Sequence, residues 1–269
     1  MMQAEAYQRF RALHGSGIFV MPNAWDGGSA LLLRQAGFAA LGSSSFALAA
    51  SLGRRDTAGA VGREESIVHA ALLGRLSGLP VNGDLEDGYG PEPEACVATV
   101  EASVAAGLAG LGIEDSTADP EAPVHGFDAA VARIRAAAAA ARGRILLTAR
   151  ADNFLLGRPD LDDTIRRLTA FAEAGADVLY APGLPDLAAI RAAVRAVAPK
   201  PVNVLIGPGV PLQALREAGV RRVSLGAALY RRAMGALLAA AEAMRTGDLA
   251  GAVRDAIPGA QIAALLTKL

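Results

Sequence analysis

A closed barrel of eight parallel strands joined by helices, a (β/α)8 architecture with a helical extension at the carboxyl end, is what the sequence predicts. Eight short aliphatic or β-branched runs recur at spacings that leave room for a helix rather than a hairpin between them. A near-repeat marks the joints: "RQAGFAALGS", "VAAGLAGLGIED", "AEAGADVLYAPG" and "REAGVRRVSLG" each read helix end, glycine, buried strand. Composition agrees, since 52% of residues are hydrophobic but only 4% aromatic, so the core is Ala, Leu, Val and Ile, side chains that pack helices closely on a sheet.

In chain order the strand runs are "GIFVMP", "FAALGS", "LPVNGDL", "LAGLGIED", "RILLTARAD", "ADVLYAPG", "KPVNVLIG" and "VRRVSLG". Runs apolar at every position are buried on both faces, which is the mark of parallel strands covered by helices. Between them, "ESIVHAALLGRLSG" and "DDTIRRLTAFAEAG" carry apolar residues at three- and four-residue spacing and end in a glycine suited to a helix C-cap. No linker rich in Pro, Gly or Ser interrupts the alternation, so residues 1–269 read as one domain, with 235–269 as the helical extension. That tail is apolar enough to dock on its own barrel or on a partner subunit.

The 26 basic and 27 acidic residues leave a formal net charge of −1, with no basic face for nucleic acid. The longest apolar stretches are alanine-rich and broken by arginine, and the amino terminus is polar, so neither a membrane span nor a secretion signal is expected. Cys96 is the single cysteine; it excludes an internal disulfide and fits a cytoplasmic protein.

Function in a parallel barrel gathers where strands end at their carboxyl side. There the sequence places Ser43, Ser44 and Ser45 after the second strand, with Asp56 following; Asp84, Glu86 and Asp87 after the third; Glu114 and Asp115 after the fourth; Arg150, Asp152 and Asn153 after the fifth; and Asn203 on the seventh. Crowded carboxylates raise one another's pKa unless a cation joins them, and oxygen-only ligands without His or Cys select a hard ion such as Mg2+. The serine hydroxyls and following amides suit a carboxylate or phosphate. His14 and His69 read as packing or surface residues, His125 lies in a loop over the mouth where it could carry a proton, and Asp26 reads equally as a helix N-cap. "IGPGV" reads as a turn.

In order along the chain, "GSSSF" with "SLGRRD", "GDLEDGYG", "GIED", "TARAD" and "VNVLIGPG" resemble the isocitrate lyase/phosphoenolpyruvate mutase superfamily. The resemblance runs from Met21 to Gly226 and implies a TIM barrel holding Mg2+, or Mn2+ in its place, and acting on small α-oxo or α-hydroxy carboxylates. It assigns Asp84 to the metal, with Asp56, Glu86 and Glu114 as the remaining acids of the metal set. Arg150 falls on the arginine that neutralises substrate carboxylate or a developing oxyanion. Ser43, Ser44, Ser45, Asp84, Arg150 and Asn203 fall to substrate binding, and Arg150, Glu114 and Asp56 to catalysis, with Glu114 also a candidate base. It further implies a homodimer or homotetramer that exchanges its last helix.

Two departures stand out. The loop after the fourth strand, "DSTADPEAPVHGF", has neither the Cys and Lys of the superfamily's isocitrate-type lyases nor the Asn and Lys of its mutases, and "LYAPG" lacks the mutases' histidine. The expected activity is a Mg2+-dependent carbon-carbon lyase on a small 2-hydroxy or 2-oxo di- or tricarboxylate, decarboxylase-like cleavage included, giving a pyruvate- or glyoxylate-type product. Phosphoenolpyruvate mutase or phosphonopyruvate hydrolase chemistry, and an oxo-acid-binding barrel without turnover, are the alternatives.

Overall fold

Eight parallel strands curve into one sheet in a computed structural model that describes residues 1–57, 59–207 and 209–266. They are β1 Phe19–Met21, β2 Leu41–Gly42, β3 Val81–Asp84, β4 Gly110–Glu114, β5 Leu146–Arg150, β6 Val178–Tyr180, β7 Val202–Leu205 and β8 Arg222–Ser224. Neighbours pair in the order β1-β8-β7-β6-β5-β4-β3-β2, and the Asn23 to Gly42 bridge brings the first two strands together, so the barrel is nearly closed. Each run expected from the sequence is one of these strands. They are short because only two to five residues of each run lie in the barrel wall before the chain turns out to its helix.

The helices are α1 Gln3–Leu13, α2 Gly27–Gln35, α3 Ser45–Ser51, α4 Arg63–Ser77, α5 Pro93–Ala105, α6 Phe127–Ala141, α7 Leu161–Ala174, α8 Leu187–Val197, α9 Leu212–Glu217, α10 Ala228–Arg245, α11 Leu249–Ala252 and α12 Gly259–Leu266. Local sequence sets their ends. Asp26 caps α2 by accepting from the Ser29 amide while Ser29 Oγ accepts from the Asp26 amide, so the capping reading of Asp26 holds. Gly78 and Gly175 terminate α4 and α7 in the left-handed region open to glycine.

Helix α1 closes the amino-terminal end of the barrel. Its Ala6, Tyr7 and Phe10 pack with Ala40, Ala109 and Leu146 at the strand starts and with Met21, which ends β1. Gly110 is required beneath this plug, because a Cβ there would lie 2.7 Å from the Phe10 ring and 2.8 Å from Asn82 Oδ1. With one end plugged, an open cavity is left at the other.

Register fixes which polar residues meet. Glu114 pairs with Arg150, Arg150 with Tyr180, Tyr180 with Asn203, and Asn203 with Arg222, so one row of chemically capable side chains crosses five strands.

Helix α10, which follows β8, runs unbroken across residue 235, where Gly235 sits between strong helix formers. Tyr230 is its one buried residue, while Leu237, Leu238, Met244, Leu249 and Val253 are exposed. Helix α12 contacts α2, and residues 267–269 of the extension lie outside the described residues. No described helix is long and apolar enough to cross a membrane.

Candidate active site

The carboxyl ends of the strands surround a cavity of about 690 Å³ that Ser43, Ser44, Ser45, Asp56, Asp84, Glu86, Glu114, Arg150 and Asn203 all line. The residues that the family resemblance assigned to metal, substrate and catalysis therefore border one space. Asp84, the last residue of β3, is its best-held acid. Its Oδ2 accepts from the Ser45 amide at 2.8 Å and the Ser45 hydroxyl at 3.0 Å, its Oδ1 pairs with Arg150 Nη1 at 2.9 Å, and its amide donates to Ser43 Oγ at 2.8 Å. Ser44 instead caps α3 by accepting from the Ala47 amide. The carboxylate that Ser45 holds is thus one belonging to the protein itself.

Arg150 ends β5 and is held from several sides. Besides Asp84, it meets Glu114 at 3.3 Å and Asp152 at 2.9 Å, and its guanidinium lies 5.2 Å from the centre of the Tyr180 ring. Three carboxylates against one cation leave a net negative pole, and Asp56 and Glu86 add to it. Burial, and then the charge of Asp84, push the Asp56 carboxyl up against the opposing pull of Arg150. Glu86 is pushed up to about 7, first by burial and then by Asp84, Asp56 and Asp87, although the Gly59 amide donates to it at 3.1 Å and works the other way. Burial likewise raises Glu114 well above the carboxylate range.

The segment "LEDGYG" carries Glu86 into this pole through a tight turn. Glu86 and Tyr89 both have positive φ, 47° and 64°, and Arg133 secures the turn by donating to the carbonyls of Asp87 and Gly90. Asp87 folds back to accept from the Tyr89 amide at 2.8 Å, so it shapes the turn. Among the described residues no three His, Cys, Asp or Glu side chains close on a common point as a ready ion cage.

Other strand-end residues do structural work. Asp115 points away from the cavity, accepting from the Asp152 amide at 2.8 Å and pairing with Arg167 at 3.0 Å. Arg167 also donates to the His125 carbonyl at 2.9 Å and pairs with Asp163, whose other donor is Asn153. His69 Nε2 lies 2.9 Å from the Trp25 carbonyl, and His14 is buried behind β8. His125 is half-buried in the loop after β4 and is not part of the cavity wall. Sequence reasoning missed Thr148, Tyr180 and Arg222 as cavity residues. The alternation of "TAR" and the paired arginines of "VRRVS" were the available signals.

A profile of the phosphoenolpyruvate phosphomutase family matches residues 10–245. The chain belongs to that family. It thereby sits in the isocitrate lyase/phosphoenolpyruvate mutase superfamily, as the ordered motifs imply. A crystal structure of a Burkholderia cenocepacia J2315 protein, provisionally described as a lyase/mutase, superposes with a TM-score of 0.94 at 45% identity, covering 98% of this chain and 96% of that one. A Mycobacterium tuberculosis H37Rv protein of uncharacterized function is 38% identical over 176 residues, which are 64% of each chain. The 2-methylisocitrate lyase of Bacillus subtilis is 30% identical over 192 residues, 68% of this chain and 61% of that enzyme. The matched segments thus span less than two thirds of the length of these curated relatives. The loop after β4 is tied down by a Ser116 to Val124 bridge and by Arg167.

Proposed function

We propose that the chain is a Mg2+-dependent carbon-carbon lyase acting on a small 2-hydroxy or 2-oxo di- or tricarboxylic acid and releasing a pyruvate- or glyoxylate-type product. The observation that carries this reading is the convergence of Asp56, Asp84, Glu86 and Glu114 on one cavity beside Arg150. The donor set fits Mg2+: it is all oxygen, and Asp56 and Glu86 are raised partly by acidic neighbours, a repulsion that a divalent ion relieves. Mg2+ keeps several waters and needs only one or two direct carboxylates, so an arrangement short of a closed cage suits it. Asp84 and Asp56 would hold it, with Glu86 and Glu114 ordering its waters. When bound, the ion supplies Lewis-acid stabilisation of negative charge on the oxo or hydroxy oxygen.

The chain's own residues do the rest. Ser45 and Arg150 fix Asp84 from opposite sides, so its orientation is set before any ligand arrives. Arg150 at once restrains Glu114 and places positive charge beside the position where an oxyanion develops. Cleavage decarboxylating an oxo acid needs no separate proton donor until the product enolate is quenched, which suits a loop without Cys or Lys. A second reading, phosphoenolpyruvate mutase or phosphonopyruvate hydrolase chemistry, is favoured by the phosphomutase profile. The test is to incubate oxaloacetate, isocitrate, methylisocitrate and alkylmalates with the protein, with Mg2+, with Mn2+ and with EDTA, following each acid by mass spectrometry. Consumption that needs the ion and vanishes in Asp84→Ala supports the lyase. No consumption of any acid, with phosphonopyruvate converted by phosphorus NMR, replaces it with the second reading.

A further inference from the structure

Besides the acidic pole, the cavity contains a cation that no acid answers among the described residues. Arg222, the first residue of β8, is 1% exposed, yet its side chain lines the cavity with Met21, Asn82 and Thr148, all buried, at the inner end. Its partners are neutral. Nε donates to Asn203 Oδ1 at 2.9 Å, Nη2 donates to Thr148 Oγ1 at 3.0 Å, Nη1 faces His14 Nε2 at 3.5 Å, and the guanidinium sits 5.9 Å from the centre of the Phe10 ring. A guanidinium has five N–H donors, so one on each terminal nitrogen remains uncommitted.

A desolvated charge without a counterion is unfavourable, and proteins usually pair it. Arg150 shows the contrast, being surrounded by Asp84, Glu114 and Asp152. Burial depresses even the Arg222 guanidinium, to about 9. The remaining arginine of the wall, Arg231, is exposed at the mouth, where solvent weakens any charge pair it makes.

We propose that Arg222 receives the second carboxylate of a dicarboxylic ligand, making the inner end of the cavity an anion subsite distinct from the acidic pole. The inference rests on the lyase reading for the position of the first carboxylate. It gives the second carboxylate in that reading its binding residue, because a ligand held at the acidic pole by one carboxylate alone leaves Arg222 without a counterion. Asn203 and Thr148 fix the guanidinium, and Asn203 is itself fixed by donating to Ser224 Oγ at 2.9 Å, so the subsite is formed in advance.

The test is calorimetric binding of malonate, succinate and acetate to the whole chain in the presence of Mg2+. Wild type binds at least one dicarboxylate more tightly than acetate, Arg222→Gln loses roughly 30-fold or more of that affinity, and acetate binding is unchanged. Arg222→Lys, which keeps the charge, retains the preference at reduced strength, and Arg231→Gln leaves it intact. Dicarboxylate affinity unchanged in Arg222→Gln, or lost in Arg231→Gln instead, overturns the subsite while leaving the lyase reading standing. No binding of any carboxylate to wild type overturns both. Should the Gln variant not fold, a wild-type crystal structure with malonate decides: a carboxylate within hydrogen-bond distance of Arg222 supports the subsite, and malonate held elsewhere overturns it.

Discussion

Acidification should weaken the fold through His14, by an amount the buried cluster around Arg222 sets. His14 Nδ1 lies 2.9 Å from the Phe10 carbonyl and so carries the proton, which leaves Nε2 bare toward Arg222 Nη1 at 3.5 Å. Phe10 and Phe19 close the ring in on two further sides with edge-to-face contacts. Burial, and then the Arg222 charge, lower its pKa from 6.5 to about 3, against a smaller opposing effect of the Phe10 carbonyl. The folded pKa lies below the unfolded one, so as pH falls the unfolded chain takes up the proton first. Stability from this group is complete above about pH 6.5 and is lost progressively toward pH 3. Two units below the unfolded pKa, near pH 4.5, the loss is about 2 to 3 kcal/mol. The assay is urea unfolding of wild type and His14→Asn between pH 7.5 and 4.5, the variant keeping a donor for the Phe10 carbonyl and lacking a titratable ring. Carboxylates titrate in both proteins and cancel in the difference. Wild type should lose that extra amount relative to the variant; parallel pH profiles would refute a neutral imidazole packed against a buried guanidinium.

Further outcomes follow from the same geometry. Arg150→Met leaves Asp84, Glu114 and Asp152 without their shared cation and should destabilise the fold by about 3 to 5 kcal/mol in urea titration at neutral pH. Ser45→Ala removes one donor to Asp84 but keeps the amide, so Mg2+-dependent turnover should fall roughly tenfold, far less than in Asp84→Ala. Arg167→Met unties the His125 carbonyl and Asp115 and should raise amide hydrogen exchange across residues 116–126 without altering exchange in α4. If the extension packs between subunits, as the family resemblance implies, Leu237→Asp with Leu238→Asp should shift sedimentation from dimer or tetramer toward monomer.

The strands and the acidic mouth were legible because each rests on a local rule. Apolar runs separated by helix-length spacers give a parallel barrel, and such a barrel gathers whatever its strand ends carry, so Asp84, Glu114 and Arg150 could be placed together from their positions alone. What the serines do was not legible. "GSSSF" announces a cluster of hydroxyls, but only the fold shows that Ser45 donates to Asp84 while Ser44 accepts from the Ala47 amide to cap α3. The inner end was less legible still. In "VRRVSLG" two arginines stand side by side, and strand parity requires them to point to opposite faces. In a barrel both faces are covered, so parity does not say which arginine looks into the centre. The choice is made by α1, which fills the amino-terminal end with Phe10 and His14 and gives Arg222 an aromatic face and a lone pair, while Arg221 bonds to the Gly17 carbonyl outside. A contact between residues 208 positions apart has no signature in any window of sequence. The acidic pole that the motifs announce is therefore only half of the cavity's electrostatics, and the answering positive charge comes from the way the chain's first helix closes the barrel.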